Sequence, residues 1–135
     1  MMETRIDHCF KNLKNENKKA FIAYITAGDP NLDSTLDIVR NLEDVGVDII
    51  ELGLPFSDPL ADGRVNQEAS IRALKSGSTF EGVMGCISKI RKSSNIPIVL
   101  YAYLNTLLSR GFEESINIAS KAGIDGFLLL DLPLE

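Results

Sequence analysis

One pattern constrains this chain more than any other: four times, a short apolar run is followed by a break and then an amphipathic segment. The runs are 21–26, 47–53, 96–103 and 124–131. Each is nearly continuous in apolar residues, as a strand buried on both faces must be. Between them apolar residues recur at three- and four-residue spacing, which predicts helices. One carries Leu32, Leu36, Val39 and Leu42 and is ended by Gly46; the others cover 67–75, 80–92 and 113–121. Ser78 or Thr79 caps the third of these, and Gly123 closes the last. A further helix, 3–15, precedes the first strand, with Ile6, Phe10 and Leu13 on one face. Strands alternating with helices build a parallel sheet covered by helices, so the class is α/β.

An open doubly wound sheet and a closed barrel both satisfy that pattern; polar residues favour the barrel. Alternation along the second strand puts Glu51 on the same face as Val47 and Ile49, at the strand's C-terminal end. Tyr24 and Thr26 share a face of the first strand, and Tyr101 and Tyr103 share a face of the third. In a (β/α)₈ TIM barrel these strand ends form the mouth, where active sites lie. Residues 1–135 are therefore expected to supply four strands of one barrel, without an internal domain boundary.

Charge and composition remove several alternatives. The net charge is −5, with Lys and Arg scattered, which excludes a basic nucleic-acid surface. No apolar run approaches the ~20 residues that span a bilayer. No secretory segment is recognisable at the N-terminus, so a cytoplasmic location is the default expectation. Cys9 and Cys86 form no CxxC motif and are expected to be reduced thiols.

The chemistry concentrates in Glu51-Leu-Gly-Leu-Pro-Phe-Ser-Asp-Pro-Leu-Ala-Asp-Gly63. Glu51 ends a buried strand, Pro55 and Pro59 stiffen the loop, and Asp58 and Asp62 sit on it. Gly53 and Gly63 are expected to lend backbone freedom at its ends. A buried Glu whose pKa is raised can donate a proton, and a loop can bring a second charge over a bound substrate. Read as ordinary structure, Asp62 is a turn residue, Asp58 a turn cap, Gln67 and Asn105 structural, and His8 solvated. Three carboxylates could also suit Mg²⁺, but no His joins them.

The motifs FIAYITAGDP, ELGLPFSDPLADG, QEASIRALKSG, YLN and DLPLE, in this order and spacing, resemble the tryptophan synthase α-subunit family across almost the whole chain. The resemblance implies a carbon–carbon lyase that cleaves indole-3-glycerol phosphate to indole and glyceraldehyde 3-phosphate in tryptophan biosynthesis. Glu51 then corresponds to the acid–base that protonates indole C3, and Asp62 to the carboxylate that meets the indole N–H. Tyr24, Thr26, Tyr101 and Tyr103 correspond to substrate-lining positions. Pro55, Phe56, Ser57 and Asp58 correspond to the contact with the β subunit of an α₂β₂ heterotetramer. No metal or cofactor belongs to the α subunit; pyridoxal phosphate belongs to its β partner.

Three departures accompany the resemblance. Arg64-Val65-Asn66 stand where the family usually has Pro-Thr-Ile, and Arg64 is placed to compete for the charge of Asp62. Tyr101 stands where Leu or Met is frequent, predicting a smaller or more polar pocket. Both favour an alternative, an α-like subunit that activates its β partner but cleaves slowly. Barrels of this kind need about 250 residues, so the chain reads as the N-terminal half, expected to be inactive alone because strands five to eight and their phosphate site are missing.

Overall fold

A computed structural model describes residues 3–133. Helix α1 (Arg5–Asn15) leads into strand β1 (Ile22–Thr26), followed by α2 (Leu32–Asp44), β2 (Ile49–Gly53), α3 (Arg64–Lys75) and α4 (Phe80–Ile90). Strand β3 (Ile98–Ala102), α5 (Leu104–Leu108), α6 (Phe112–Ala122) and β4 (Gly126–Leu129) complete it. The strands form one parallel sheet in sequential order, β1-β2-β3-β4. All four expected strands are present, shortened at their ends: the fourth stops at Leu129, not at Asp131. The motif residues Leu134 and Glu135 lie outside the described residues.

Register divides the sheet into two faces. Ile50, Leu52, Ile98, Leu100 and Ala102 are buried against the helices, where Val39 of α2 and Val83, Ile87 and Ile90 of α4 meet them. Each Ile, Leu or Val among them contributes about 1.5–3 kcal/mol when fully removed from water. The other face carries Tyr24, paired with Glu51 and through it with Val99, and then Thr26, paired with Gly53 and through it with Tyr101. Polar groups therefore gather on the face away from the helices.

Helix ends follow local chemistry. Thr4 and Asp7 form a reciprocal cap at α1, Asn31 caps α2 and Thr79 caps α4. Gly123 ends α6 in the left-handed conformation, where a Cβ would also meet the Arg91 side chain. Helix α3 starts three residues earlier than periodicity predicts. Gly63 is its N-cap at an ordinary φ of −73°, so it does not provide unusual backbone freedom there.

Below β3 and β4, at their N-terminal ends, Asp125 organises a closed ionic node. It accepts from Arg5 Nη1 at 2.9 Å, Arg91 Nη2 at 2.8 Å and the Ile98 amide at 2.8 Å. Arg91 also donates to the carbonyls of Ile96 at 2.6 Å and Gly123 at 2.8 Å. Burial lowers the Arg91 pKa, and the Asp125 carboxylate opposes that shift. This node ties α1, α4 and the two strands together.

Candidate active site

At the opposite, C-terminal end of the strands, the β2–α3 loop folds over the sheet. Its Asp62 accepts two phenol hydrogen bonds, Tyr101 Oη to Oδ1 at 3.0 Å and Tyr103 Oη to Oδ2 at 2.9 Å. The Tyr103 hydroxyl also accepts from the Ala61 amide at 2.9 Å. From the helix side, Gln67 Nε2 donates to the Asp62 carbonyl at 2.9 Å and more weakly to that of Pro59. Asp62 is thus fixed through its side chain and its backbone, and Gln67 has the structural role its sequence position suggests.

The tyrosines are themselves positioned. Tyr24 and Tyr101 stack edge to face, with centroids 4.9 Å apart. Tyr24 Oη lies 3.2 Å from Thr26 Oγ1. Gly53 makes room for this phenol: a Cβ there would lie 2.4 Å from Tyr24 Oη. The glycine is required for this close approach, not for freedom at the loop's start. Burial, followed by the hydrogen bond to Asp62, raises the Tyr101 and Tyr103 pKa values; burial also raises that of Tyr24. The phenols therefore remain protonated donors.

Glu51 is half-buried on the same sheet face, beside Tyr24 in the β1–β2 register. Among the described residues its carboxylate has no hydrogen-bond partner. Tyr24 is the neighbour of Glu51 in the register and stacks on Tyr101, which holds Asp62, so the two carboxylates lie in one region. The arrangement offers one unengaged carboxylate on a strand and one held carboxylate on a loop, joined by an aromatic wall.

Arg64 does not compete for Asp62. It points along its own helix and pairs with Glu68, Nε to Oε1 at 2.7 Å, from an exposed position. The early start of α3 explains the correction: as its first residue, Arg64 faces Glu68 one turn onward. Tyr101 does not simply narrow the pocket either, since its hydroxyl is bonded to Asp62.

The loop's remaining residues divide. Pro55 is buried, and Phe56 packs on Tyr103 with centroids 5.0 Å apart, whereas Ser57 and Asp58 are exposed. Ser57 Oγ donates to Asp58 Oδ2 at 2.6 Å. Leu60, which sequence reasoning passed over, is 91% exposed at the tip. Among the described residues no three His, Cys, Asp or Glu side chains are grouped to hold a metal ion. No helix among them is long and apolar enough to cross a membrane. Cys9 and Cys86 are unpaired thiols, and His8 is exposed beside Glu3.

Comparisons with known proteins bear on the family and the fold. Residues 10–135 match the family model described as tryptophan synthase alpha chain. A tryptophan synthase alpha chain from Caldanaerobacter subterraneus subsp. tengcongensis is 50% identical over 131 residues, 97% of this chain and 50% of that protein. Among solved structures, tryptophan synthase subunit alpha from Legionella pneumophila str. Paris superposes with a TM-score of 0.95 at 39% identity, over 98% of this chain and 51% of that one. A structure concerned with mutual activation of the tryptophan synthase a2b2 complex of Pyrococcus furiosus matches with a TM-score of 0.81 at 42% identity, over 84% of this chain and 46% of that chain. The chain spans about half the length of the curated relatives it matches.

Proposed function

Because the chain belongs to the tryptophan synthase alpha chain family, as the first half of its (β/α)₈ barrel, we propose that it carries the acid–base centre of a carbon–carbon lyase acting on indole-3-glycerol phosphate. Glu51 donates a proton to indole C3, which creates a positively charged indoleninium ring. Asp62 receives the ring N–H and opposes the developing charge with its own. The Glu51 carboxylate formed in that step then takes the proton from the hydroxyl beside the scissile bond, which expels indole, leaves glyceraldehyde 3-phosphate and returns Glu51 to its acid form. One proton enters at C3 and one leaves the hydroxyl, so the step needs no oxidant or reductant. Tyr24, Thr26, Tyr101 and Tyr103 line the reacting ring.

The observation that carries this reading is the contrast within the site. Asp62 is held by uncharged phenol donors, with no cation bonded to it among the described residues, while Glu51 is free of hydrogen bonds among them. An acid that must give up a proton and an anion that must face a cation need these two environments. The chain requires no cofactor of its own in this scheme; pyridoxal phosphate belongs to a β-subunit partner in an α₂β₂ assembly, in the cytoplasm. Ser57, Asp58 and the exposed Leu60 offer the surface for that partner, with Pro55 and Phe56 supporting it from beneath.

The test is indole release from indole-3-glycerol phosphate by a full-length protein bearing this chain, alongside the 135-residue polypeptide. The full-length protein is expected to cleave. The polypeptide alone is expected to release none, because binding energy from a remote phosphate is what positions the reacting group. Failure of the full-length protein to cleave, with and without its β partner, would overturn the lyase reading.

A further inference from the structure

We propose that Tyr101 is a positioning residue whose phenol, held against Tyr24, fixes Asp62 over the strand ends before substrate arrives. The inference rests on the lyase reading for its kinetic consequence, but the geometry is independent of it. Four residues form a connected series. Gly53 leaves the space that Tyr24 Oη occupies, Tyr24 stacks edge-on against Tyr101, and Tyr101 Oη reaches Asp62 Oδ1 at 3.0 Å. Tyr103 holds the other oxygen and the neighbouring Ala61 amide, so the loop is bonded to the end of β3 at three points.

Each partner has a definite effect. A phenol donor orients a carboxylate without neutralising it, whereas a guanidinium would cancel its charge. Each carboxylate oxygen has a second lone pair, so an oxygen that accepts from Tyr101 can still accept from an indole N–H. The raised phenol pKa keeps the donor protonated at neutral and mildly alkaline pH. Tyr101 therefore stabilises the loop arrangement that the transition state requires, and an anion already in place needs no reorganisation as charge develops.

The test is Tyr101→Phe in a full-length protein bearing this chain, compared with Tyr101→Leu. Phe keeps the ring and its stacking on Tyr24 and removes only the hydroxyl. The expected result is about a tenfold loss in kcat with little change in KM, since Asp62 faces a cation that exists only in the transition state. Amide exchange at Ala61 and Asp62 is expected to rise in the same variant without substrate. Mere packing by Tyr101 would leave kcat intact in the Phe variant and lower it only with Leu, which overturns the proposal. A faster Phe variant also overturns it, because the phenol would then compete with substrate for Asp62. If the unsubstituted protein does not cleave, the lyase reading fails and exchange alone decides: unchanged protection in Tyr101→Phe refutes the positioning role.

Discussion

Two carboxylates lie at opposite ends of the same parallel sheet, and their surroundings differ in kind. Asp125, below β3 and β4, meets two guanidinium groups and an amide, so its charge is matched as well as bonded. Asp62, above the strand ends, meets only neutral phenols among the described residues, so its geometry is set without a cation to cancel its charge. The first arrangement suits cohesion: a buried ion pair that loses one partner leaves a charge with nothing to oppose it. The second suits chemistry, because a fixed and uncancelled anion can stabilise positive charge elsewhere. In barrels of this kind the two ends divide labour in this way, stability at the N-terminal face and reaction at the C-terminal face.

Breaking the lower node gives the largest expected change in stability. Asp125→Ala leaves Arg91 buried without its partner and is expected to cost ~3–5 kcal/mol, measured by urea unfolding of a full-length protein bearing this chain. A cost below about 1 kcal/mol would mean that the node is not the cohesive element described. At the upper end, Asp62→Asn is expected to lower cleavage by about tenfold, or ~1.4 kcal/mol on the barrier, while leaving the unfolding midpoint nearly unchanged. Its amide oxygen still accepts an N–H, but the charge is gone. A large loss of stability with intact cleavage would reverse the assignment of the two ends.

The tyrosines sharpen the comparison through pH. All three tyrosines of the sequence, Tyr24, Tyr101 and Tyr103, are at the upper site, and all have raised pKa values. A raised folded-state pKa means that the protonated phenols contribute stability below the ordinary value of about 10, and that the contribution is lost as pH rises through the folded values. Ultraviolet titration of the folded chain is therefore expected to show tyrosinate forming only above that ordinary value. A tyrosine that ionises at about 10 or below would show that the phenols are not engaged as described. The smallest effect belongs to Arg64. Its exposed pair with Glu68 is worth about 0.3–0.5 kcal/mol, and Pro is well tolerated at a first helical position. Arg64→Pro is expected to leave cleavage unchanged; faster cleavage would show that Arg64 restrains Asp62 after all.

Much of this arrangement was legible from sequence because it is periodic. The four apolar runs became the four strands, and alternation paired Tyr24 with Thr26 within the first; the register then brings Glu51, Tyr24, Thr26 and Tyr101 to one face. What escaped depends on distance along the chain. Tyr101 and Tyr103 reach Asp62 across 39 and 41 residues, a pairing no local pattern announces. Helix α5 is short, and its first amide, at Leu104, is bound by Asp131 from 27 residues downstream at 2.6 Å. Asp125 falls inside the fourth apolar run, 124–131, and its partners Arg5 and Arg91 come from α1 and the end of α4. Two-residue proximity places Arg64 beside Asp62, but the helix that begins at Arg64 carries it toward Glu68.

Glu51 is proposed to serve the reaction and not the fold. Glu51→Gln in a full-length protein bearing this chain tests it most directly, with indole release and urea unfolding measured on the same preparation. Gln keeps the shape but cannot donate a proton, and general acid–base catalysis is worth ~10²–10⁴-fold. Cleavage is expected to fall by a factor in that range, with an unfolding free energy within about 0.5 kcal/mol of the unsubstituted protein. Cleavage that stays near the original rate, or a variant that loses activity only because it unfolds, would contradict it.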